Sequence, residues 1–229
     1  MQHMPVMLFA AGFGKRMGNL TLNRPKPLIP VAGRTLLDHA LALVDGADLG
    51  RRVLNLHYLG DQIAGHVSGL DVALSWERAR ILETGGGLRA AMPLLGGSPV
   101  ATLNTDAVWT GRNPLVELRA AWRDDTMDAL LLVAPLAAAV GHDGKGDFLL
   151  DQDGRIARAD GRPGVVYLGA QIIRTDLLPS IPQEVFSLNL LWDRMIAAGR
   201  AFAVEHQGRW CDVGRPEGIA LAEAMLADG

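Results

Sequence analysis

Apolar segments in the first 125 residues alternate between two spacings, and this alternation most constrains the fold. Val6 to Ala10, Val53 to Leu56, Val72 to Trp76 and Val100 to Leu103 are short aliphatic runs that stop at glycine or polar residues. Runs of this length read as buried strands. Between them, Leu36 to Val44, Asp61 to Val67, Gly86 to Ala91 and Pro114 to Arg123 read as helices. Thr35 is placed to cap the first, and Pro114 stands at a helix start, where proline is tolerated. Strands that alternate with helices predict an α/β fold: a doubly wound, mostly parallel, Rossmann-like sheet in an α/β/α sandwich.

The pattern changes after Asp128. Ala129 to Pro135, Asp147 to Leu150, Val165 to Ile173 and Ala201 to Glu205 read as strands, and Leu188 to Ala198 and Pro216 to Leu226 as helices. Asp151 to Gly154 reads as a hairpin turn. No proline- or serine-rich linker separates the halves, so residues 1–229 are expected to form a single domain around one continuous sheet. No hexapeptide repeat is visible, which predicts no β-helix within these residues.

Composition excludes several classes. A hydrophobic fraction of 49% with 21% charged residues is that of a globular chain, not a disordered one. Lys and Arg number 22 against 25 acids, a net charge of -3, which argues against a bulk nucleic-acid binder. Cys211 is the only cysteine, so no internal disulfide and no cysteine-cluster metal site can form. This fits a cytoplasmic location. The longest apolar stretch, Ala129 to Val140, is broken by Pro135 and is shorter than the ~20 residues of a membrane span. The apolar start lacks a preceding charged region and reads as a strand rather than a secretion signal. The six histidines show no zinc spacing, and Trp122 and Trp192 lie at helical positions expected in the core.

Directly after the first strand comes Ala10-Ala11-Gly12-Phe13-Gly14-Lys15-Arg16-Met17. Glycines at the carboxyl end of a strand let backbone N–H groups approach a phosphate, and Lys15 and Arg16 add positive charge. A Walker loop fails, because Met17 stands where its second glycine belongs. A dinucleotide fingerprint fails as well: Met17 is not small, and the second strand ends around Asn55, His57 and Tyr58 without an acid. A second feature, Pro25-Lys26-Pro27-Leu28-Ile29-Pro30, holds one ammonium on a backbone that its prolines stiffen.

These two runs resemble the signature of the sugar-1-phosphate nucleotidyltransferases. Glu83-Thr84-Gly85-Gly86-Gly87, Asn104-Thr105-Asp106 and Trp210-Cys211-Asp212-Val213-Gly214 are similar to that family's later motifs, in the same order. The resemblance covers essentially the whole chain. Leu82 to Gly87, Asp106 to Thr110 and Gly144 to Phe148 look most like the N-acetylmuramate α-1-phosphate uridylyltransferase group, of peptidoglycan recycling. The resemblance implies a nucleotidyltransferase (GT-A-like) fold, with residues 1–125 as nucleotide-binding half and 126–229 as sugar-phosphate acceptor half. It implies transfer of a nucleotidyl group, with UTP favoured, to a sugar 1-phosphate such as N-acetylmuramate 1-phosphate, with release of pyrophosphate. Mannose-1-phosphate guanylyl transfer and glucose-1-phosphate thymidylyl or uridylyl transfer are the enzymatic alternatives. A non-catalytic nucleotide-sugar-binding protein is the other class.

Site roles carried by the resemblance are as follows. Asp106 and Asp212 would ligate Mg²⁺, which prefers oxygen ligands and takes one or two carboxylates plus substrate phosphates. Arg16 would bind the departing phosphates and Lys26 the α-phosphate, so Arg16, Lys26 and Asp106 are the catalytic set. Ala10, Ala11, Gly12, Gly14, Lys15, Glu83, Thr84, Gly85 and Gly86 would meet the nucleotide. Asn104, Asp147, Gly169 and Asn189 would face the sugar, although Asp147 reads equally as part of a polar loop. Three departures from the family pattern stand out, one being that Met17 to Thr21 lacks the usual arginine and proline after methionine. Thr105 occupies a position that is commonly glycine, and no Glu-Lys-Pro element is present, the nearest run being Asp160 to Pro163. The expected partners are the two small-molecule substrates, with no nucleic acid and no membrane, and a monomer or homodimer.

Overall fold

The computed structural model describes residues 3–228. In the first half the elements are Val6–Phe9 (β1), Pro30–Val31 (β2), Arg34–Thr35 (β3), Leu36–Asp45 (α1), Arg52–Leu56 (β4), Gly60–His66 (α2), Ala73–Trp76 (β5), Glu83–Leu95 (α3), Val100–Asn104 (β6), Ala107–Gly111 (β7) and Pro114–Ala121 (α4). Then come Ala129–Pro135 (β8), Ala139–Val140 (β9), Phe148–Leu150 (β10), Ile156–Arg158 (β11), Val165–Ile173 (β12), Asn189–Ala197 (α5), Ala201–Glu205 (β13), Gly208–Asp212 (β14) and Glu217–Ala227 (α6).

A nine-stranded sheet runs β11-β10-β12-β6-β1-β4-β5, with β8 on β12 and β13 on β8. The segment β6-β1-β4-β5 is parallel, as the helical crossovers require. Beyond it, β12 runs antiparallel to both β6 and β8. Alternation along β1 explains the layers. Val6 and Leu8 point into a core with residues of α1, α2 and α4, whereas Met7 points into a second core with α3 and α5. Each face of the sheet is thus covered by helices. Among the described residues, no helix is long and apolar enough to cross a membrane.

Local signals set the helix starts. Thr35 Oγ1 accepts from Asp38 N at 3.1 Å and Asp38 Oδ2 accepts from Thr35 N at 3.4 Å, a reciprocal cap on α1. Asn113 Oδ1 accepts from Leu115 N at 2.9 Å ahead of Pro114, which starts α4.

Two expectations need correction. α3 begins at Glu83, three residues before the expected Gly86, and continues to Leu95. Its glycine run lies inside the helix because the helix packs too closely there for side chains: a first carbon on Gly86 would lie 2.5 Å from Glu184 O. Close packing overrides low helix propensity. Nor is there one continuous sheet. The chain bends at Thr105 and Asp106, so β7 leaves β6 and pairs with β14, which also pairs with β9. This three-stranded sheet and α6 enclose a third small core of Met17, Ile29, Val31, Val108, Cys211 and Met225, among others.

Candidate active site

In open α/β sheets ligands gather beyond the carboxyl ends of the strands, where the strand order reverses. Here that point lies between β6 and β1, and a cleft of about 370 Å³ opens there. Ala10, Ala11 and Gly12 form its wall after β1, with Gly14, Lys15 and Arg16 behind them. Gly14 has φ +63°, and a first side-chain carbon on it would lie 2.9 Å from Lys26 Cβ. Glycine therefore lets the loop turn left-handed and press against Lys26.

Lys26 is only 8% exposed. Its Nζ donates to Asp106 Oδ2 at 2.7 Å. Asp106 lies in the bend after β6, and Asp212 ends β14 opposite Ala107 in register. Val213 N donates to Asp106 O at 2.9 Å, tying the two acidic segments together. Burial, then the charge of Asp106, push the Asp212 carboxyl above its usual range, against the pull of Lys26, Arg16 and His142. Gly214 sits beside this cluster: a first carbon there would lie 2.5 Å from Asp212 Oδ2 and 3.1 Å from the Arg16 guanidinium nitrogens.

Thr105 does not narrow the cleft through its hydroxyl. Its Oγ1 turns inward and donates to Phe9 O at 2.8 Å. Glu83 and Thr84 line the cleft, and Thr84 Oγ1 accepts from Leu188 N at 3.0 Å. Gly85 and Gly86 are not part of its lining. Their N–H groups donate to Phe186 O at 2.9 and 3.0 Å, so these amides are already engaged.

A second cleft of about 390 Å³ adjoins the first, and Arg16, Asn104 and Asp106 line both. Asp212, Asp147, Gly169 and Asn189 line the second. Gly169 (φ +83°) lies where β12 shifts register against β8, and a first carbon on it would lie 2.9 Å from Asn104 Cβ. Asp147 Oδ2 accepts from Tyr167 N at 2.8 Å, which fixes the carboxylate on β12. Two buried polar atoms of this cleft's residues, His142 Nε2 and Trp210 Nε1, have no partner among the described residues. Buried polar atoms are rarely left so unless a ligand or water completes them.

The chain matches the MobA-like NTP transferase domain over residues 6–183. It belongs to the MobA-like NTP transferase family. This transferase is 36% identical to an N-acetylmuramate α-1-phosphate uridylyltransferase of Caulobacter vibrioides, over 97% of this chain and 96% of that one. It is 32% identical to a protein of the same name from Neisseria meningitidis, covering 97% and 98%. Its fold is similar to that of HddC from Yersinia pseudotuberculosis, with a TM-score of 0.75 at 20% identity over 97% and 99% of the two chains.

The transferase's clefts also hold residues that motif reading does not find. Asn55 and Glu77 are buried at the ends of β4 and β5. Asn55 Oδ1 accepts from Ala10 N at 2.7 Å and its Nδ2 donates to Glu77 Oε1 at 2.7 Å. Glu77 Oε2 accepts from Leu82 N at 2.7 Å. This chain of bonds ties the loop after β1, across the ends of β4 and β5, to the segment leading into α3. Its one sequence signal is a polar residue inside an otherwise aliphatic strand. In the second cleft, Trp192 is core, as its spacing predicts, and yet also lines the cavity with Phe148, Tyr167 and Arg158.

Proposed function

We propose that this transferase moves a uridylyl group from UTP to N-acetylmuramate 1-phosphate, releasing pyrophosphate. The observation that carries the reading is the junction of two clefts at Arg16, Asn104 and Asp106, beside Lys26 and Asp212. One cleft offers the backbone of a glycine loop to a triphosphate. The other offers a separate cavity to the second substrate. The choice of base and sugar rests on the two relatives named above.

The reaction needs no general base. A phosphate monoester has a second pKa of about 6, so its oxygen is largely ionised at neutral pH. That oxygen attacks the α-phosphorus, a new P–O bond forms, and the bond to pyrophosphate breaks with its electron pair leaving on oxygen. The protein's task is positioning and charge stabilisation. Lys26 has three ammonium donors and uses one on Asp106. The others serve the α-phosphate. Arg16, at the junction, serves the departing pyrophosphate. Backbone groups of Ala11 and Gly12 meet the nucleotide, and Asn104 meets the sugar.

The donor set at Asp106 and Asp212 fits Mg²⁺. Asp106 and Asp212, two carboxylates whose charges oppose each other, would hold the ion through oxygen, with substrate phosphates completing the site. The ion, when bound, supplies a Lewis acid that withdraws charge from phosphate oxygens.

Pyrophosphate release tests the reading, measured with each nucleoside triphosphate against a panel of sugar 1-phosphates in Mg²⁺. The highest kcat/KM is expected for UTP with N-acetylmuramate 1-phosphate. A higher value for GTP with mannose 1-phosphate would replace this substrate pair. Stabilisation by UTP without turnover of any acceptor would replace catalysis by binding.

A further inference from the structure

The proposed acceptor differs from N-acetylglucosamine 1-phosphate by a lactyl ether on C3, which ends in a carboxylate. Resting on the uridylyl-transfer reading above, we infer that Arg158 binds this carboxylate and sets the enzyme's preference for a carboxylated sugar.

Arg158 ends β11, the edge strand of the nine-stranded sheet, and lines the second cleft but not the first. Three strand spacings separate β11 from β6, which carries Asn104 toward the junction. At ~4.8 Å each, that is about 14 Å. The Arg158 guanidinium, however, lies over the Phe148 ring of the neighbouring strand β10, one spacing nearer, which leaves about 10 Å. A pyranose with phosphate on C1 and a lactyl group on C3 fills that span between its phosphate oxygens and its carboxylate. Its phosphate would stand at the junction and its carboxylate toward the edge strand.

Arg158 is also held in one pose. Nε donates to Asp193 Oδ1 at 2.8 Å and Nη2 donates to Asn189 O at 3.2 Å. The guanidinium carbon stands 5.0 Å from the Phe148 ring centre and 5.6 Å from that of Trp192. Trp192 is in turn fixed by its Nε1 donating to Gln171 Oε1 at 2.8 Å. Among the described residues Nη1 has no partner. One hydrogen of Nη1 and the second hydrogen of Nη2 form the two-pronged fork that matches a carboxylate. Asp147, a carboxylate that also lines this cleft, accepts from Tyr167 N and makes no bond to Arg158. A residue that only tied β11 to α5 would need the Asp193 and Asn189 bonds alone. It would not need a pose that leaves one edge free in a cavity.

The test compares N-acetylmuramate 1-phosphate with its lactyl carboxamide, in UTP and Mg²⁺, for wild type, Arg158→Gln and Arg158→Lys. Wild type is expected to favour the acid at least tenfold in kcat/KM. Arg158→Gln should raise KM for the acid about ten- to hundredfold, the range of a charge-assisted hydrogen bond, with kcat little changed. Its KM for the carboxamide should stay near the wild-type value. Arg158→Lys should keep part of the preference. Equal losses on acid and carboxamide would make Arg158 a packing residue and overturn the inference. So would an unchanged preference in Arg158→Gln. A wild type that uses another sugar 1-phosphate but not N-acetylmuramate 1-phosphate would instead refute the substrate reading, and this inference with it.

Discussion

Asp106→Asn and Asp212→Asn remove the same charge from neighbouring positions, yet they should shift the stability of the metal-free protein differently. Asp106 is in contact with Lys26, whose Nζ lies 2.7 Å from its carboxylate. The side chains are 10% and 34% exposed, so this pair is neither fully buried nor freely solvated. An amide oxygen at position 106 still accepts from Nζ. The loss is therefore the difference between a charged and a neutral hydrogen bond, about 1 kcal/mol. For a chain of this size that is roughly 2–4 °C in Tm. Relief of the repulsion with Asp212 works against the loss. Asp212 has no such contact: burial first and Asp106 second disfavour its ionised form. Asp212→Asn removes that penalty and should raise Tm.

The sign follows from proton binding. The native state holds the Asp212 proton more tightly than the unfolded chain does. The stability this supplies is complete below the unfolded pKa and is lost as pH rises through the raised native one. Above the raised native value wild type has lost it, whereas Asp212→Asn behaves as though permanently protonated. The advantage of Asp212→Asn thus grows as pH rises and fades toward the ordinary carboxylate range. Differential scanning calorimetry in EDTA, between pH 7 and pH 4, measures it. Stabilisation by UTP with Mg²⁺ and pyrophosphate release should be lost in both variants. An Asp212→Asn protein no more stable than wild type at pH 7, or less stable than Asp106→Asn, would refute the electrostatic account of this pair.

Gly14→Ala should lose about 1–2 kcal/mol from the left-handed backbone alone. It should lose more than tenfold in kcat/KM, because the new methyl displaces Lys26; urea titration and steady-state rates separate the two effects. Cys211 is fully buried, and burial and then Asp212 push its thiol up to about 11. Iodoacetamide at pH 8 should leave it unmodified in the native protein and modify it in urea, as mass spectrometry will show. Asn55→Asp should cost about 3 kcal/mol or more by setting two buried carboxylates against each other. Adding Glu77→Gln restores a donor between them and should recover most of the loss in a double-mutant cycle.

Much of the fold is legible because the inner parallel strands β1, β4 and β6 are buried on both faces. Val6–Phe9 and Val100–Asn104 read as continuous apolar runs for that reason, and Thr35 and Asn113 stop competing backbone conformations at the helix starts. The three-stranded sheet β7-β14-β9 is not marked as a separate unit in the sequence. β7 is five residues long and follows β6 after only two residues, so nothing in its composition says that the chain has changed sheets. The pairing that decides it, Trp109 with Trp210, joins positions about a hundred residues apart.

The candidate site divides along a similar line. Lys26, Asp106 and Asp212 stand in local motifs, where proline or a strand end forces a particular backbone, and such constraints leave a mark in the sequence. Asn55 and Glu77 act through each other. Asn55 alone is a polar residue in a buried strand, and Glu77 alone is an acid after one. Either would be costly in isolation, since a buried polar group without a partner loses its water and gains nothing. Together they satisfy Ala10 N and Leu82 N, two amides more than seventy positions apart beside the first cleft. The same holds in the second cleft, where Arg158 is fixed by Asp193 and Asn189, more than thirty positions further along the chain. What a linear reading misses is therefore not chemistry of an unusual kind. It is the polar groups whose cost is cancelled only by residues that the fold brings to them.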